Sequence, residues 1–304
     1  MNKIAVLIPC YNECATIEKV VREFRIELPS AQIFVYDNNS TDGTGKLAAS
    51  AGATVRLVKH QGKGNVVRRM FQDVNADIYV LVDGDDTYPA NEVANLIRPV
   101  EEGVADMSCG DRLSATYYSE NRRIGHGIGN WLVCRLIRLL WGQKVSDVMT
   151  GYRVFSNRFV KTCPVLSPGF EIETEMTLHA LDKRMSIVEL PIRYQDRAEG
   201  SYSKLNTVSD GMKVLKTIFN MFRYYRPLAF FSIIGMALTV VSVVMGAPVF
   251  VEYFKTGLVL KFPTLIFACF LFTAALLSFS VGLVLDSVKK QSDQAFELVL
   301  TSAS

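Results

Sequence analysis

The sequence predicts an α/β domain with a mostly parallel sheet, followed by an amphipathic helix and two membrane-spanning helices. Short apolar runs of strand composition alternate with segments of helical period over the first two thirds of the chain. Polar clusters follow these runs, and two long uncharged stretches lie near the end. Strands that alternate with helices indicate a parallel sheet, and the uncharged stretches indicate membrane spans.

The predicted strands are short runs rich in Val, Ile, Leu and Tyr. The first four occupy residues 4–8, 33–36, 54–58 and 78–82. Apolar runs of this length, bounded by Gly, Asn and Asp, are typical of strands buried on both faces.

A helix is predicted over residues 16–28, "TIEKVVREFRIEL". Its apolar residues recur at the spacing of one helical face. They are Ile17, Val20, Val21, Phe24 and Leu28. Thr16 is expected to cap this helix through its side chain.

The second half of the domain is predicted from weaker patterns. A helical stretch lies around 124–142, "SDVMTGYRVFSN" contains a turn and a strand, and "SIVELPIRY" contains the last strand. A helix that opens with acidic residues is predicted in "FEIETEMTLHALDKR".

Two stretches, 228–250 and 264–285, contain no charged residue. Each is long enough to cross about 30 Å of hydrocarbon as a helix. We therefore predict a transmembrane hairpin over 228–290, followed by a short tail at 291–304.

The segment 207–227 is predicted to be an amphipathic helix in the membrane interface. Its basic residues include Lys213, Lys216 and Arg223. One face carries the apolar residues, which are Val208, Met212, Leu215, Ile218, Phe219 and Phe222.

The charges near the spans predict the topology. The first span is preceded by basic residues, among them Arg223 and Arg226, and the second span is followed by Lys289 and Lys290. By the positive-inside bias, the catalytic domain and both termini are expected in the cytoplasm. The net charge of +3 is too small to indicate a nucleic-acid partner, whereas the basic flanks suit membrane lipids.

Polar clusters follow the predicted strands and should meet at one edge of the sheet. They are "PCYNE", "DNNSTDGT", "HQGKGN" and "DGDDTYP". The last cluster places Asp83, Asp85 and Asp86 within four positions. Like charges this close favour a divalent cation, or a ligand that carries one, between them.

With these segments placed, the chain resembles the family 2 glycosyltransferases of the GT-A fold, and in particular the polyprenyl-phosphate (dolichyl-phosphate) sugar synthases. The motifs that carry the resemblance are "IPCYNE", "DNNSTDGT", "GKGNVVRRM", "DGDDTYP", "SDVMTGYRVF" and "EGSYSKLNT", followed by the hairpin. The resemblance implies a GT-A catalytic domain over residues 1–206.

The resemblance also implies a nucleotide-sugar site and a metal. The residues expected to bind the nucleotide-sugar are Pro9, Tyr11, Glu13, Asp37, Lys63, Asp83, Arg197 and Lys204. Asp85 is the expected ligand of Mg²⁺ or Mn²⁺, which prefer oxygen donors and substrate phosphates. Thr87 stands where the mannose synthases carry Gln, so a second ligand near Thr87 or Asp86 and the identity of the sugar stay open.

The implied reaction is the inverting transfer of one sugar from a UDP-Glc, UDP-GlcNAc or GDP-Man type donor to undecaprenyl or dolichyl phosphate. Asp83, Asp85 and Asp147 are the implied catalytic residues. A phosphate monoester is mostly a dianion at pH 7, so we expect Asp147 to orient groups ahead of acting as a base.

An anionic acceptor requires cations and hydrogen-bond donors. The resemblance assigns this role to Arg112, Arg122, Arg123 and Ser203. Glu173 and Glu175 either face the acceptor or merely begin a helix, where acidic residues are favoured.

Two other functions compete with this one. A processive polysaccharide synthase should carry a Q-x-x-R-W segment and more spans, which this chain does not show. A catalytically inactive scaffold that binds nucleotide-sugar is opposed by Asp83, Asp85, Asp147, Arg197 and Lys204. The sequence leaves homo-oligomerisation open.

Overall fold

The computed structural model describes residues 2–112, 124–143, 145–195 and 219–303, without the side chains of 124–130, 299 and 301–303. The chain divides into two compact units, 1–214 and 215–304. The first contains the sheet and the second contains two long helices, and each is described by itself.

A seven-stranded sheet forms the centre of the first unit. The strands are β1 (Ile4–Cys10), β2 (Gln32–Asp37), β3 (Thr54–Leu57), β4 (Ile78–Leu81), β5 (Met107–Asp111), β6 (Arg153–Ser156) and β7 (Ile187–Pro191). Their order is β3-β2-β1-β4-β6-β5-β7, and β6 pairs antiparallel with both of its neighbours. The other pairings are parallel. The mostly parallel sheet is therefore confirmed, and the first four strands end within two residues of their predicted ends.

Helices connect these strands. They are α1 (Ile17–Glu27), α2 (Thr44–Ser50), α3 (Lys63–Asp73), α4 (Val93–Glu101), α5 (Ile124–Trp141), α6 (Asn157–Thr162) and α7 (Ile172–Asp182). Consecutive residues of β1, such as Ala5, Val6, Leu7 and Ile8, are all fully buried. Burial of both faces explains why this strand is continuously apolar.

The first helix, α1, packs as predicted, but Thr16 does not cap it through its side chain. Ile17, Val20, Val21 and Phe24 are buried in the core. Thr16 occupies the position before the helix without capping it. Its hydroxyl donates instead to the carbonyl oxygen of Gly84 at 2.7 Å, which ties the start of α1 to the acidic loop after β4.

The second unit is a helical hairpin of α8 (Pro227–Thr256) and α9 (Phe262–Ala303). Both helices are long and apolar enough to cross a membrane. Ser242 and Ser278, one on each helix, donate hydroxyl hydrogen bonds to the carbonyl oxygens of Ala268 (2.7 Å) and Phe231 (2.8 Å) on the other. Such bonds satisfy polar groups within an apolar pair of helices.

The hairpin agrees with the predicted spans 228–250 and 264–285 and extends beyond them. The helix α9 has 42 residues and continues to Ala303, so the predicted tail at 291–304 is almost entirely helical. At 1.5 Å per residue it is about 63 Å long, roughly twice the hydrocarbon thickness. Residues 207–218 of the predicted interfacial helix lie outside the described residues, and 219–225 are helical.

The start of α3 packs directly on the segment 166–168. A Cβ on Gly62 would overlap the carbonyl oxygen of Pro168, and one on Gly64 would overlap that of Ser167. Gly62 also has φ +128°, which favours glycine. The carboxylate of Glu175 accepts hydrogen bonds from the backbone N–H groups of Leu166 (2.9 Å) and Ser167 (2.8 Å), and so holds the opposing segment.

This contact generates a prediction. Gly64→Ala should destabilise the protein by about 1–3 kcal/mol, because the added methyl group cannot enter without a backbone shift. Lys63, which the resemblance assigns to the nucleotide-sugar, begins the same helix, so we expect the substitution also to weaken binding of UDP or GDP. Thermal unfolding in detergent and calorimetric titration with each nucleotide would measure the two effects.

The control for this prediction is Gly103→Ala. Gly103, unlike Gly64, has a positive φ (+71°), and no heavy atom lies within 4 Å of the position that a Cβ would occupy there. This variant should lose stability through backbone strain and keep its nucleotide affinity. Equal nucleotide affinity in Gly64→Ala and the wild type would contradict the proposed link between this contact and the site.

Candidate active site

A cavity of about 290 Å³ lies where β1, β2 and β4 end. The strands run parallel here, so their polar clusters meet at one edge. Six residues that the sequence assigned to the nucleotide-sugar or the metal line this cavity. They are Pro9, Tyr11, Glu13, Lys63, Asp83 and Asp85.

Asp37, which the sequence also assigned to the nucleotide-sugar, is not among the described residues that line the cavity. Its carboxylate accepts a hydrogen bond from the backbone N–H of Ser40 at 2.8 Å. The next residue, Asn38, does line the cavity and was missed by the sequence reasoning.

Asn38 fixes the wall of the cavity by joining two loops. Its side-chain amide donates to the carbonyl oxygens of Val58 and His60, both at 2.9 Å, and its oxygen accepts from the N–H of Gly62 at 2.7 Å. A buried amide whose donors and acceptor are all bonded holds the end of β2 against the start of α3.

Lys63 lies between two carboxylates at the edge of the cavity. Its ammonium is 2.5 Å from Oδ1 of Asp83 and 2.7 Å from Oε1 of Glu173. The side chains of Lys63 and Glu173 are 9% and 6% exposed, and that of Asp83 is 27% exposed. The ion pair therefore joins α3, the loop after β4 and α7.

The charges of this cluster affect one another. Burial alone would lower the pKa of Lys63, but the charges of Asp83 and Glu173 raise it above its usual value. Burial raises the pKa of Glu173, while the ammonium of Lys63 opposes this rise. Lys63 is thus a permanent cation at neutral pH.

The three neighbouring aspartates do not converge on one point. Asp85 lines the cavity, and its Oδ1 accepts hydrogen bonds from the Thr87 hydroxyl (2.6 Å) and backbone N–H (3.3 Å). Asp86, at φ +62°, forms an ion pair with Lys19 at 2.6 Å. Asp86 therefore points towards α1, away from the cavity that Asp83 and Asp85 line, and the divalent cation at this cluster stays a prediction.

Asp147 forms a buried bidentate pair with Arg112. The guanidinium Nε and Nη2 donate to Oδ2 (2.7 Å) and Oδ1 (3.0 Å) of Asp147, whose side chain is fully buried. Arg112 also lies over the ring of Tyr194, 5.4 Å from its centroid. This geometry orients both groups, because a fork of two hydrogen bonds fixes direction as well as distance.

The backbone around Asp147 is held separately by Glu189 on β7. The Glu189 carboxylate accepts from the N–H groups of Ser146 (2.9 Å) and Asp147 (3.2 Å). Nothing in the sequence near Glu189 indicated this contact, since the residue reads as part of an ordinary strand.

A fully buried arginine supports the same loop. Arg153 donates to the carbonyl oxygens of Val148 (2.6 Å) and Thr150 (3.0 Å) and to the hydroxyl of Thr177 on α7 (2.8 Å). Thr177 in turn donates to the carbonyl oxygen of Glu173. Arg153 therefore connects the Asp147 loop with the helix that carries Glu173.

Five predicted site residues lie outside the described residues. They are Arg122, Arg123, Arg197, Ser203 and Lys204. Their assigned roles stay predictions.

The amino-acid sequence matches one family along its first half. Residues 5–163 match the Glycosyl transferase family 2 description. "Glycosyltransferase AglJ" of Haloferax volcanii is 32% identical over 253 residues, which are 83% of this chain and 82% of AglJ. "Dolichol-phosphate mannosyltransferase" of Pyrococcus furiosus is 26% identical over 257 residues, 77% of this chain and 69% of that protein.

Solved structures share the fold. Glucosyl-3-phosphoglycerate synthase from Mycobacterium tuberculosis, crystallised with Mn²⁺, UDP-glucose and phosphoglyceric acid, aligns with a TM-score of 0.59 and 22% identity. The alignment covers 72% of this chain and 79% of that one. The fold is thus the predicted GT-A type, and the chain belongs to glycosyl transferase family 2.

Proposed function

We propose that this glycosyltransferase moves a single sugar from a nucleoside-diphosphate sugar to a polyprenyl phosphate, with inversion at the anomeric carbon. The observation that carries the proposal is the cavity at the carboxyl edge of the sheet, which is lined by Asp83, Asp85 and Lys63. This cavity belongs to a family 2 domain, and two apolar helices follow that domain in the chain. A phosphate oxygen of the acceptor attacks the anomeric carbon. The bond from that carbon to the diphosphate breaks, and the diphosphate keeps the electron pair.

The acidic residues of the cavity fit a divalent cation. Asp83 and Asp85 supply carboxylate oxygens, which Mg²⁺ and Mn²⁺ prefer, and both line the cavity proposed for the nucleotide. The solved structure of similar fold that was crystallised with Mn²⁺ and UDP-glucose supports a divalent cation in this proposal. Asp85 would hold the ion, and the ion would offset the charge that develops on the leaving diphosphate.

The nucleoside is assigned to the part of the cavity after β1 and β2. Pro9, Tyr11 and Glu13 line it, and Asn38 fixes its wall. Carboxylate and amide oxygens accept hydrogen bonds from ribose hydroxyls or base N–H groups. We keep Asp37 as a candidate partner of the nucleoside that would require a change in its contacts on binding.

The acceptor phosphate is assigned to Arg112, with the predicted help of Arg122, Arg123 and Ser203. Arg112 carries the charge that a phosphate requires, and Asp147 fixes the direction of its guanidinium. Because the acceptor needs little deprotonation, Asp147 has an orienting role. Its two oxygens both accept from Arg112, which is the geometry of an orienter.

The apolar hairpin suits a lipid acceptor. Relatives named for polyprenol and dolichol phosphates, such as the mannosyltransferase from P. furiosus, support this choice. We propose that the catalytic domain and both termini lie on the cytoplasmic side, on the basis of the basic residues that flank the spans.

The proposal is tested by incubating membranes that contain the protein with labelled UDP- and GDP-sugars and a polyprenyl phosphate. Label should move into the organic phase with one donor, and chelation of divalent ions should stop the transfer. Absence of lipid-linked label with every donor, from a protein that binds nucleotide-sugar, would contradict the proposed reaction.

A pair of adjacent aspartates tests the assignment of the metal. Asp85→Asn should lower the transfer rate by about 100-fold or more, because it removes the proposed ligand without removing core volume. Asp86→Asn should keep most of the activity, because Asp86 pairs with Lys19 and Asn also tolerates a positive φ. Equal rates in the two variants would contradict this division.

Arg112 tests the assignment of the acceptor. Arg112→Ala should raise the apparent KM for the lipid phosphate by about 10- to 100-fold, the effect of losing a charged hydrogen bond. Arg112→Lys should cause a smaller rise, because lysine keeps the charge but loses the two-bond pair with Asp147 that directs the guanidinium. The matched control is Arg193→Ala, which removes an exposed arginine after β7.

Steady-state kinetics with each substrate varied in turn would measure both constants. The KM for the nucleotide-sugar should stay within about twofold in the Arg112 variants. A raised KM for the nucleotide-sugar with an unchanged KM for the lipid would show that Arg112 serves the donor.

A further inference from the structure

The cluster of Lys63, Asp83 and Glu173 contains a buried carboxylate oxygen without a hydrogen-bond partner among the described residues. Oε1 of Glu173 contacts the Lys63 ammonium, but Oε2 is buried and has no hydrogen-bond partner among the described residues. Glu173 is 5% exposed. An unsatisfied buried carboxylate oxygen is costly, and in native proteins such atoms usually bind a water molecule, an ion or a ligand.

The unsatisfied oxygen belongs to a residue next to the cavity wall. Lys63, its ion-pair partner, lines the cavity, and so does Phe170, three residues before Glu173. The ring centroid of Phe170 is 5.9 Å from the Lys63 ammonium. This part of the wall combines the aromatic face of Phe170 with the Lys63 ammonium and the Asp83 carboxylate, and Glu173 lies directly behind Lys63. An aromatic face can pack against the apolar face of a sugar, and charged groups can bind its hydroxyl groups.

The neighbouring contacts show which part of a nucleotide-sugar would reach this wall. Asp83 bonds Lys63 through Oδ1, and its Oδ2 lies so close to Gly151 that a Cβ there would overlap it. Gly151 is four residues from Asp147, which binds Arg112. The cluster is therefore bracketed by the residues assigned to the diphosphate and those assigned to the acceptor. On the proposed function, the transferred sugar would lie in that interval.

A carboxylate oxygen can only accept a hydrogen bond. The nucleoside, which also offers donors, is assigned to the part of the cavity after β1 and β2. Of the groups assigned to this interval, the ionised diphosphate offers no donor, whereas the transferred sugar offers hydroxyl groups. We propose that Glu173, positioned by Lys63, is a specificity-determining residue that accepts a hydrogen bond from a hydroxyl group of the transferred sugar. This inference rests on the proposed function and deepens it, because it assigns a sugar-recognising residue within the same site.

Binding measurements on the full chain in detergent test the inference. The probes are UDP and UDP-glucose, and GDP and GDP-mannose, each with Mg²⁺. In Glu173→Leu, the affinity for the preferred nucleotide-sugar should fall about 10-fold more than the affinity for the free nucleotide, because only the nucleotide-sugar carries the hydroxyl group that Glu173 binds. Glu173→Gln should show a smaller loss, because the amide keeps one oxygen acceptor.

The matched control is Glu171→Gln. Glu171 precedes the same helix and is only partly buried, so this variant changes the local charge without touching Lys63. It should bind every probe as the wild type does. The loss should therefore be specific to Glu173.

Affinities for deoxy analogues of the preferred nucleotide-sugar distinguish direct recognition from a purely structural role, because a structural role would not change the discrimination between analogues. The wild type should discriminate against the analogue that lacks one particular hydroxyl group, and Glu173→Leu should lose that discrimination while keeping the others. The loss identifies the hydroxyl group that Glu173 binds.

Several results would overturn the inference. Equal weakening of nucleotide and nucleotide-sugar would show that Glu173 acts through Lys63 on the diphosphate, and unchanged affinities would show that it contacts no ligand. In both cases the proposed function would survive, because the wild type would still bind its donor. A wild type that binds no nucleotide-sugar would overturn both proposals.

Discussion

The ammonium of Lys63, shared by the carboxylates of Asp83 and Glu173, is the interaction on which the arrangement of the site depends. It joins the first residue of α3, the loop after β4 and the first turn of α7. Without it, Glu173 would be a buried carboxylate that lacks its cation, which costs about 3–5 kcal/mol. The two glycines that let α3 approach the segment 166–168 serve the same contact.

The sheet explains why these elements meet. Parallel strands β2, β1 and β4 bring their carboxyl ends to one edge, and the antiparallel strand β6 follows the loop that carries Asp147. Buried Arg153, at the start of β6, bonds that loop and Thr177 on α7. The residues proposed to bind the nucleotide-sugar and those proposed to bind the acceptor are therefore joined by one hydrogen-bonded framework, which suits a reaction that depends on precise positioning.

Much of this arrangement was predictable, because strand ends and their polar clusters are encoded locally. The six cavity-lining residues from Pro9 to Asp85 followed from that rule together with the family motifs. The orientation of Asp86 was not predictable, since it depends on a positive φ and on Lys19, 67 residues away. The pairing of Lys63 with Glu173 was not predictable either, because only the folded chain brings these residues together. In the sequence alone, Glu173 could equally be an acidic residue that begins a helix.

The proposed function requires that the cavity bind a nucleoside diphosphate through a metal that the protein alone holds weakly. No group of three or more His, Cys, Asp or Glu side chains suited to a metal occurs among the described residues. On the proposed function, we expect phosphate oxygens of the nucleotide to contribute to the ligand set. Electron paramagnetic resonance titration of Mn²⁺ with and without UDP or GDP tests this directly. We expect one nucleotide to tighten Mn²⁺ binding at least about 10-fold, and Mn²⁺ to tighten that nucleotide equally. Mn²⁺ binding that is equally tight without either nucleotide would contradict this expectation.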